Sequence, residues 1–138
     1  AAAELGKLDA AGLGNDYNDL GTVDHTQKQQ LLNNIDLLCV PTVYQEPKGL
    51  FALEAMAAGV PVVVPEHGAF PEMLADLEGG ILFEPGNITA LAQLLHGLLE
   101  NQISLAEYGN LGRRNVSARR DANTMASNTI AAIYKLLH

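Results

Sequence analysis

The sequence has no tryptophan, a single cysteine and an aromatic fraction of only 5%. Alanine, leucine and glycine are plentiful instead, which suits packed helices over a parallel sheet better than a β-sandwich. One thiol cannot build a disulfide framework, so Cys39, inside the apolar run LLCVP, reads as a small buried core residue in a reducing cytoplasm. Basic residues are also scarce. Eight Lys and Arg face sixteen Asp and Glu, a net charge of -8, and no basic face speaks for nucleic acid. The only basic density, Arg113-Arg114 and Arg119-Arg120, falls at helical spacing and reads as a solvated face rather than a phosphate site. No run approaches about 18 consecutive apolar residues, so no transmembrane segment is expected. The N-terminus lacks a charged-then-apolar signal layout. It reads as a helix already under way, and so as part of a longer chain. At 138 residues the chain is one domain or a piece of one.

Helical and strand-like segments alternate. A helix over residues 1–11 ends at Gly12 and Gly14. A short apolar piece, Tyr17 to Leu20, reads as a strand. Asp24 is an acidic N-cap for a helix to about Asn34. IDLLCVP has the length of a strand and stops at Pro41. Gly49 to Ala58 reads as a helix with Gly59 just past its end. VPVVVP is β-branched between prolines and reads as a strand buried on both faces. A short helix over Phe70 to Asp76, the strand in GGILFEP, and three helices (87–100, 105–118 and 121–137) complete the pattern. The expected fold is α/β, a three-layer, mainly parallel Rossmann-like sheet. Ligands in such sheets bind at the carboxyl ends of the strands.

EPKGLFALE, Glu46 to Glu54, falls at such an end. It holds two glutamates with seven residues between them. A rise of about 1.5 Å per residue separates the acids by on the order of 10 Å. That is too far for a tight acid/base dyad, and it suits two contacts to an elongated, hydroxyl-bearing ligand. Between them the amides of Gly49, Leu50 and Phe51 form a helix N-terminus able to bind an anion, and glycine lets the backbone approach closely. The order carboxylate, phosphate-binding amides, carboxylate matches the hydroxyls, phosphates and hydroxyls of a nucleoside diphosphate sugar. The alternative is plain: Glu46 in a solvated loop and Glu54 on a helix surface. Against it, Leu53, Ala55, Met56, Ala57 and Ala58 surround Glu54, and a buried acid needs a partner.

The stretch EPKGLFALEAMAAGVPVVVPEHGAFPEML resembles the nucleotide-sugar site of retaining GT-B glycosyltransferases, the family 4 and glycogen-synthase-like group. The shared pattern is Glu46, seven residues, Glu54, then Ala55-Met56-Ala57, Gly59, Pro61-Val62, Gly68 and Pro71-Glu72. LGTVDHTQKQQLLNNIDLLCVPTVYQE resembles the preceding strand, helix and strand, and GGILFEPGNITALAQLL the following strand and helix. The resemblance covers roughly residues 1–100, with the final helices, from about residue 103 to 138, at the family's C-terminal end. It implies that the chain is a partial nucleotide-sugar-binding domain. Glu46 would contact donor sugar hydroxyls and carry the catalytic role, and Glu54 would bind the ribose. The amides of Gly49, Leu50 and Phe51 would face the diphosphate and sugar, and Gly21 and Thr22 would lie beside the base. Transfer would proceed with retention. No metal or other cofactor is implied, because cationic side chains and helix dipoles offset the diphosphate charge.

The chain departs from the family at Lys48, where an aromatic is usual. Lys48 either adds charge near the phosphates or points into water. The family's phosphate-clamping cations, the first two strands and the acceptor domain would all precede residue 1, so the chain alone is expected to be inactive. In strand order 3-2-1-4-5-6, the segment Tyr17 to Leu20 would be strand 3 without its neighbour. It should re-dock beside IDLLCVP, or two chains should pair sheet edges. His67 is either a loop histidine without function or a donor contact, and Glu72 either complements a helix dipole or touches ligand. Tyr44 and Gln45 lead into the site loop. His25, His96 and His138 are scattered and form no metal cluster. A non-catalytic binding or assembly module and a GT-B-fold nucleotide-sugar epimerase are the alternative functions.

Overall fold

The structure is a computed structural model and describes residues 2–137, without the side chains of residues 2, 4, 129, 132, 133, 136 and 137. His138 lies outside the described residues. The chain divides into two compact units, one running to Gln30 and a larger one from Leu31 onward.

The N-terminal unit holds α1 (Ala2–Ala10) and most of α2 (His25–Leu32). Asp24 caps α2 as its sequence implies. Its carboxylate accepts from the Gln27 amide at 2.8 Å, and the Gln27 side chain accepts from the Asp24 amide at 2.9 Å. This reciprocal pair satisfies two donors that the helix end would otherwise leave open. The expected strand at Tyr17 to Leu20 does not form, and the segment is irregular. Asn18 and Asp19 are turn formers, and the Gly21 amide donates to Asp19 Oδ1 at 2.9 Å. The Tyr17 hydroxyl donates to Asp9 Oδ1 at 3.0 Å, and that bond raises the Tyr17 pKa.

The larger unit is a three-stranded parallel sheet in the order β1 (Leu38–Cys39), β2 (Val62–Pro65), β3 (Gly80–Phe83). Tyr17 to Leu20 therefore does not re-dock as a strand, and β1 is an end strand. IDLLCVP, read as a full strand, pairs over two residues. Leu38 N donates to Pro61 O and Val40 N to Val63 O, both at 3.0 Å. With a ladder on one side alone, only this short stretch is held. Cys39 is half-buried rather than buried, and desolvation raises its thiol pKa.

The strands pack on both faces. Val62 and Val64 of β2 join Ala52, Ala55 and Met56 of α3 (Leu50–Ala58) and Phe70, Leu74 and Leu77 of α4 (Phe70–Leu77). Val63 faces the other way, against Phe83, Leu98 of α5 (Ile88–Glu100) and Leu105 of α6 (Gln102–Arg119). The three valines are fully enclosed, and burying each contributes about 2 kcal/mol. The period-two alternation places side chains in both layers.

α6 closes the amino ends of the strands. A Cβ on Gly109 would fall 2.3 Å from the Gly59 carbonyl, and one on Gly112 3.0 Å from the Gly79 Cα. The bare backbone at both positions lets the helix pass directly under β2 and β3. Its polar residues then tie down the helices above. Asn115 donates to the Leu77 carbonyl at 3.0 Å, Arg113 to the Ala58 carbonyl, and Arg119 to the Asp76 carbonyl. These donors satisfy carbonyls at helix C-termini, where positive charge is also favoured. Arg113 and Arg119, from the pairs expected to be a solvated face, thus supply two of these three ties between helices. α7 (Ala122–Leu137) follows α6. Its first turn is capped by Asp121, whose oxygens accept from Thr124 N and Oγ1 at 2.8 and 2.9 Å.

Candidate functional site

With α6 at the amino ends, the carboxyl ends of β1, β2 and β3 are left to three loops. The β1–α3 loop carries Glu46, Lys48 and Gly49. Glu46 is half-buried, and its Oε1 accepts from the amides of Lys48 and Gly49, both at 3.1 Å. A carboxylate at the positive end of a helix is favoured by the dipole and by those two bonds. Oε2 has no hydrogen-bond partner among the described residues.

Gly49 is the N-cap of α3, with φ 62° and ψ 34°. This is left-handed space, and a Cβ there would meet Met73 Cε at 2.7 Å and Phe70 Cε1 at 3.1 Å. Conformation and packing both demand glycine. The Gly49 carbonyl accepts from Ala52 and Leu53. Because the Gly49 amide is given to Glu46, the helix end is less open than its sequence implies. The amides of Leu50 and Phe51 have no partner among the described residues, and these two are available to an anion. Leu50 is exposed, while Phe51 packs edge-on against Phe70 with ring centroids 6.0 Å apart. Glu54 is half-buried on the same helix.

The β2–α4 loop is built onto the first. The Ala69 amide donates to the Glu46 carbonyl at 2.9 Å. Gly68, at φ 60°, lies so close that a Cβ would sit 2.6 Å from Glu46 O and 2.8 Å from Glu46 N. His67 Nε2 lies 3.1 Å from the Thr42 carbonyl, and its Nδ1 is enclosed without a partner. Tyr44 is exposed, and its amide donates to Thr42 Oγ1 at 3.0 Å. Glu46, Lys48, Gly49, Leu50, Phe51, Glu54 and His67 therefore fall on three adjoining elements, the β1–α3 loop, α3 and the β2–α4 loop. Gly21 and Thr22 belong to the N-terminal unit.

Lys48 is exposed and borders a cleft of about 190 Å³ with Pro47, Leu53, Ala69, Glu72, Met73 and Arg120. Arg120 is a cation that local reading of the sequence missed, since only the path of α6 brings it here. It is held by Asp76, whose Oδ2 lies 2.8 Å from Arg120 and whose Oδ1 lies 2.8 Å from Arg119. Hydrogen bonds from Arg120 and then Arg119 keep the Asp76 carboxyl below the usual carboxylate range. A larger cavity, about 380 Å³, lies between Pro41–Val43 and the start of α5, lined by Phe83, Ile88 and Leu91. Its lining is apolar and contains neither glutamate. Among the described residues no three His, Cys, Asp or Glu side chains gather as a metal site, and no helix is long and apolar enough to cross a membrane.

The family model for glycosyl transferases group 1 matches residues 3–115.

The chain belongs to the group 1 glycosyl transferases.

A phosphatidyl-myo-inositol mannosyltransferase of Mycobacterium leprae is 37% identical over 118 residues, 86% of this chain and 31% of that protein. A glycogen synthase of Mycobacterium tuberculosis is 31% identical over 115 residues, 83% of this chain and 27% of that protein. Sucrose-phosphate synthase from Thermosynechococcus elongatus superimposes with a TM-score of 0.81 at 29% identity, over 96% of this chain and 33% of that one. HepE of Anabaena, solved in complex with UDP, gives 0.83 at 26% identity over 97% and 36%. The α/β layers of this group 1 chain are those of a GT-B, Rossmann-like half. The chain spans between 27% and 36% of the length of these proteins.

Proposed function

We propose that this chain is the donor-binding part of a retaining glycosyltransferase that moves a sugar from a nucleoside diphosphate to an acceptor hydroxyl. The observation that carries the reading is the Glu46 carboxylate pinned by one oxygen to the Lys48 and Gly49 amides. Its second oxygen takes no hydrogen bond among the described residues, and the amides of Leu50 and Phe51 follow next in the helix. In the proposed complex, Glu46 Oε2 accepts from a hydroxyl of the donor sugar and fixes the ring for transfer. The Leu50 and Phe51 amides donate to the diphosphate, whose charge grows as the glycosidic bond breaks. Glu54 accepts from the ribose hydroxyls. Lys48, on the loop after Glu46, adds positive charge beside the phosphates. No metal takes part.

The UDP held by the structural neighbour HepE and the mannosyltransferase relative support a nucleotide-sugar donor. Their greater length supports an acceptor-binding half elsewhere in the enzyme, so this chain alone binds donor without turnover. The reading places the enzyme in the cytoplasm, and allows copies of the isolated chain to pair along β1. Calorimetric titration of UDP-glucose and GDP-mannose into the transferase, wild type against Glu54→Ala, tests it. A wild type that binds neither these donors nor other nucleotide sugars would falsify the reading, and NMR of the product anomer tests retention.

A further inference from the structure

We propose that His67 is a positioning residue for Glu46 and makes no contact with the donor. The ring is oriented by the Thr42 carbonyl, 3.1 Å from Nε2. A carbonyl can only accept, so Nε2 carries the hydrogen and Nδ1 is left as an acceptor. Nδ1 is enclosed by protein and has no donor. An enclosed atom cannot reach a ligand, and an unpaired buried acceptor is destabilising. The histidine is therefore held for its Nε2–H bond, which ties the β2–α4 loop to the start of the β1–α3 loop.

The next two residues complete a clamp. Gly68 lies flat on the Glu46 backbone, and the Ala69 amide donates to the Glu46 carbonyl at 2.9 Å. Three consecutive residues, 67 to 69, thus grip the β1–α3 loop at Thr42 and at Glu46. The Glu46 main chain is fixed from one side by this clamp, and its carboxylate from the other by the Lys48 and Gly49 amides. Releasing the Thr42 end lets the loop and the carboxylate move together. The effect on the donor rests on the function proposed above, whereas the clamp itself is independent of it.

Two variants in the complete transferase test the inference. His67→Gln keeps an N–H able to reach the Thr42 carbonyl and loses Nδ1. His67→Phe keeps the ring and loses the donor. The readouts are the amide proton–nitrogen resonances of Lys48 and Gly49, and the donor KM and kcat. We expect His67→Phe to shift both amides and raise the KM for the donor about tenfold, with kcat changing less. His67→Gln should restore both amides and bring the KM back to within about twofold. Wild-type amide positions and KM in His67→Phe would overturn the clamp. So would a Gln variant as impaired as Phe, which would point to a direct role for Nδ1. If the Phe variant fails to fold, the Gln variant decides alone: wild-type amides support the clamp and displaced amides refute it. A wild type without any donor binding would remove the function proposed above while the amide shifts still judge the clamp.

Discussion

Replacing Gly68 with alanine separates the close approach of the two site loops from ordinary backbone strain. The residue sits at φ 60°, which costs an L-residue about 1–2 kcal/mol. The new Cβ would also fall 2.6 Å from the Glu46 oxygen and 2.8 Å from its nitrogen. Relief to ordinary contact requires the Glu46 main chain to retreat by roughly 0.5–1 Å. The Ala69–Glu46 bond at 2.9 Å and the two amide bonds to Oε1 at 3.1 Å are strained by that retreat. Together these effects predict a loss of roughly 2–4 kcal/mol, or about 5–15 °C in Tm for a domain of this size. Donor affinity should fall about tenfold, because Glu46 is displaced from the helix end. Gly86→Ala is the comparison. It has φ 81° and nothing within 4 Å of its Cβ, so it carries strain of about 1–2 kcal/mol without moving Glu46. Thermal melts and donor titration of both variants give the answer. A Gly68→Ala protein that melts and binds like Gly86→Ala would refute the packing of Gly68 on Glu46.

Asp76 gives a pH prediction. Its folded pKa lies below the ordinary value, so its pairing with Arg120 and Arg119 stabilises the fold at and above the ordinary carboxylate range. That stability is lost as the pH falls below about 4 through the lowered folded value. Because the pair is partly exposed, Asp76→Asn should cost only about 0.5–1 kcal/mol at pH 7. The difference should shrink toward pH 3 in urea melts, and a gap that widens on acidification would contradict it. For the isolated chain, pairing along β1 predicts a concentration-dependent dimer in sedimentation velocity, and a monomer throughout the range would count against edge pairing.

Local signals served where a segment's fate is decided by its own residues. VPVVVP became β2 because a short β-branched run between prolines has few alternatives. Gly59 ended α3 in the left-handed conformation, φ 84°, as a glycine after an apolar helix implies. Asp24 and Asn87 cap the helices they precede. Tyr17 to Leu20 failed as a strand because two apolar residues around Asn-Asp cannot offset the turn preference without a partner strand. β1 shrank for a related reason, since its length depends on neighbours and not on its own hydrophobicity. In the candidate site, the glycine and the two glutamates were visible as spacing. The capping of Glu46 by Lys48 and Gly49, and the grip of residues 67–69, depend on how two loops meet. Arg113, Asn115 and Arg119 bond to helix ends 38 to 55 positions away, which no short window contains. Only Gly109 and Gly112, three apart on one helical face, left a local trace of the close helix passage that was not used.

The most direct test of the account is calorimetry of a nucleotide sugar with the complete transferase, wild type beside Glu54→Ala. The account predicts wild-type binding with a Kd between about 1 μM and 1 mM. Loss of the carboxylate should weaken it by roughly 10- to 100-fold, the effect of removing a charged hydrogen bond to the ribose. Equal affinity in the two proteins would contradict the placement of the donor along α3.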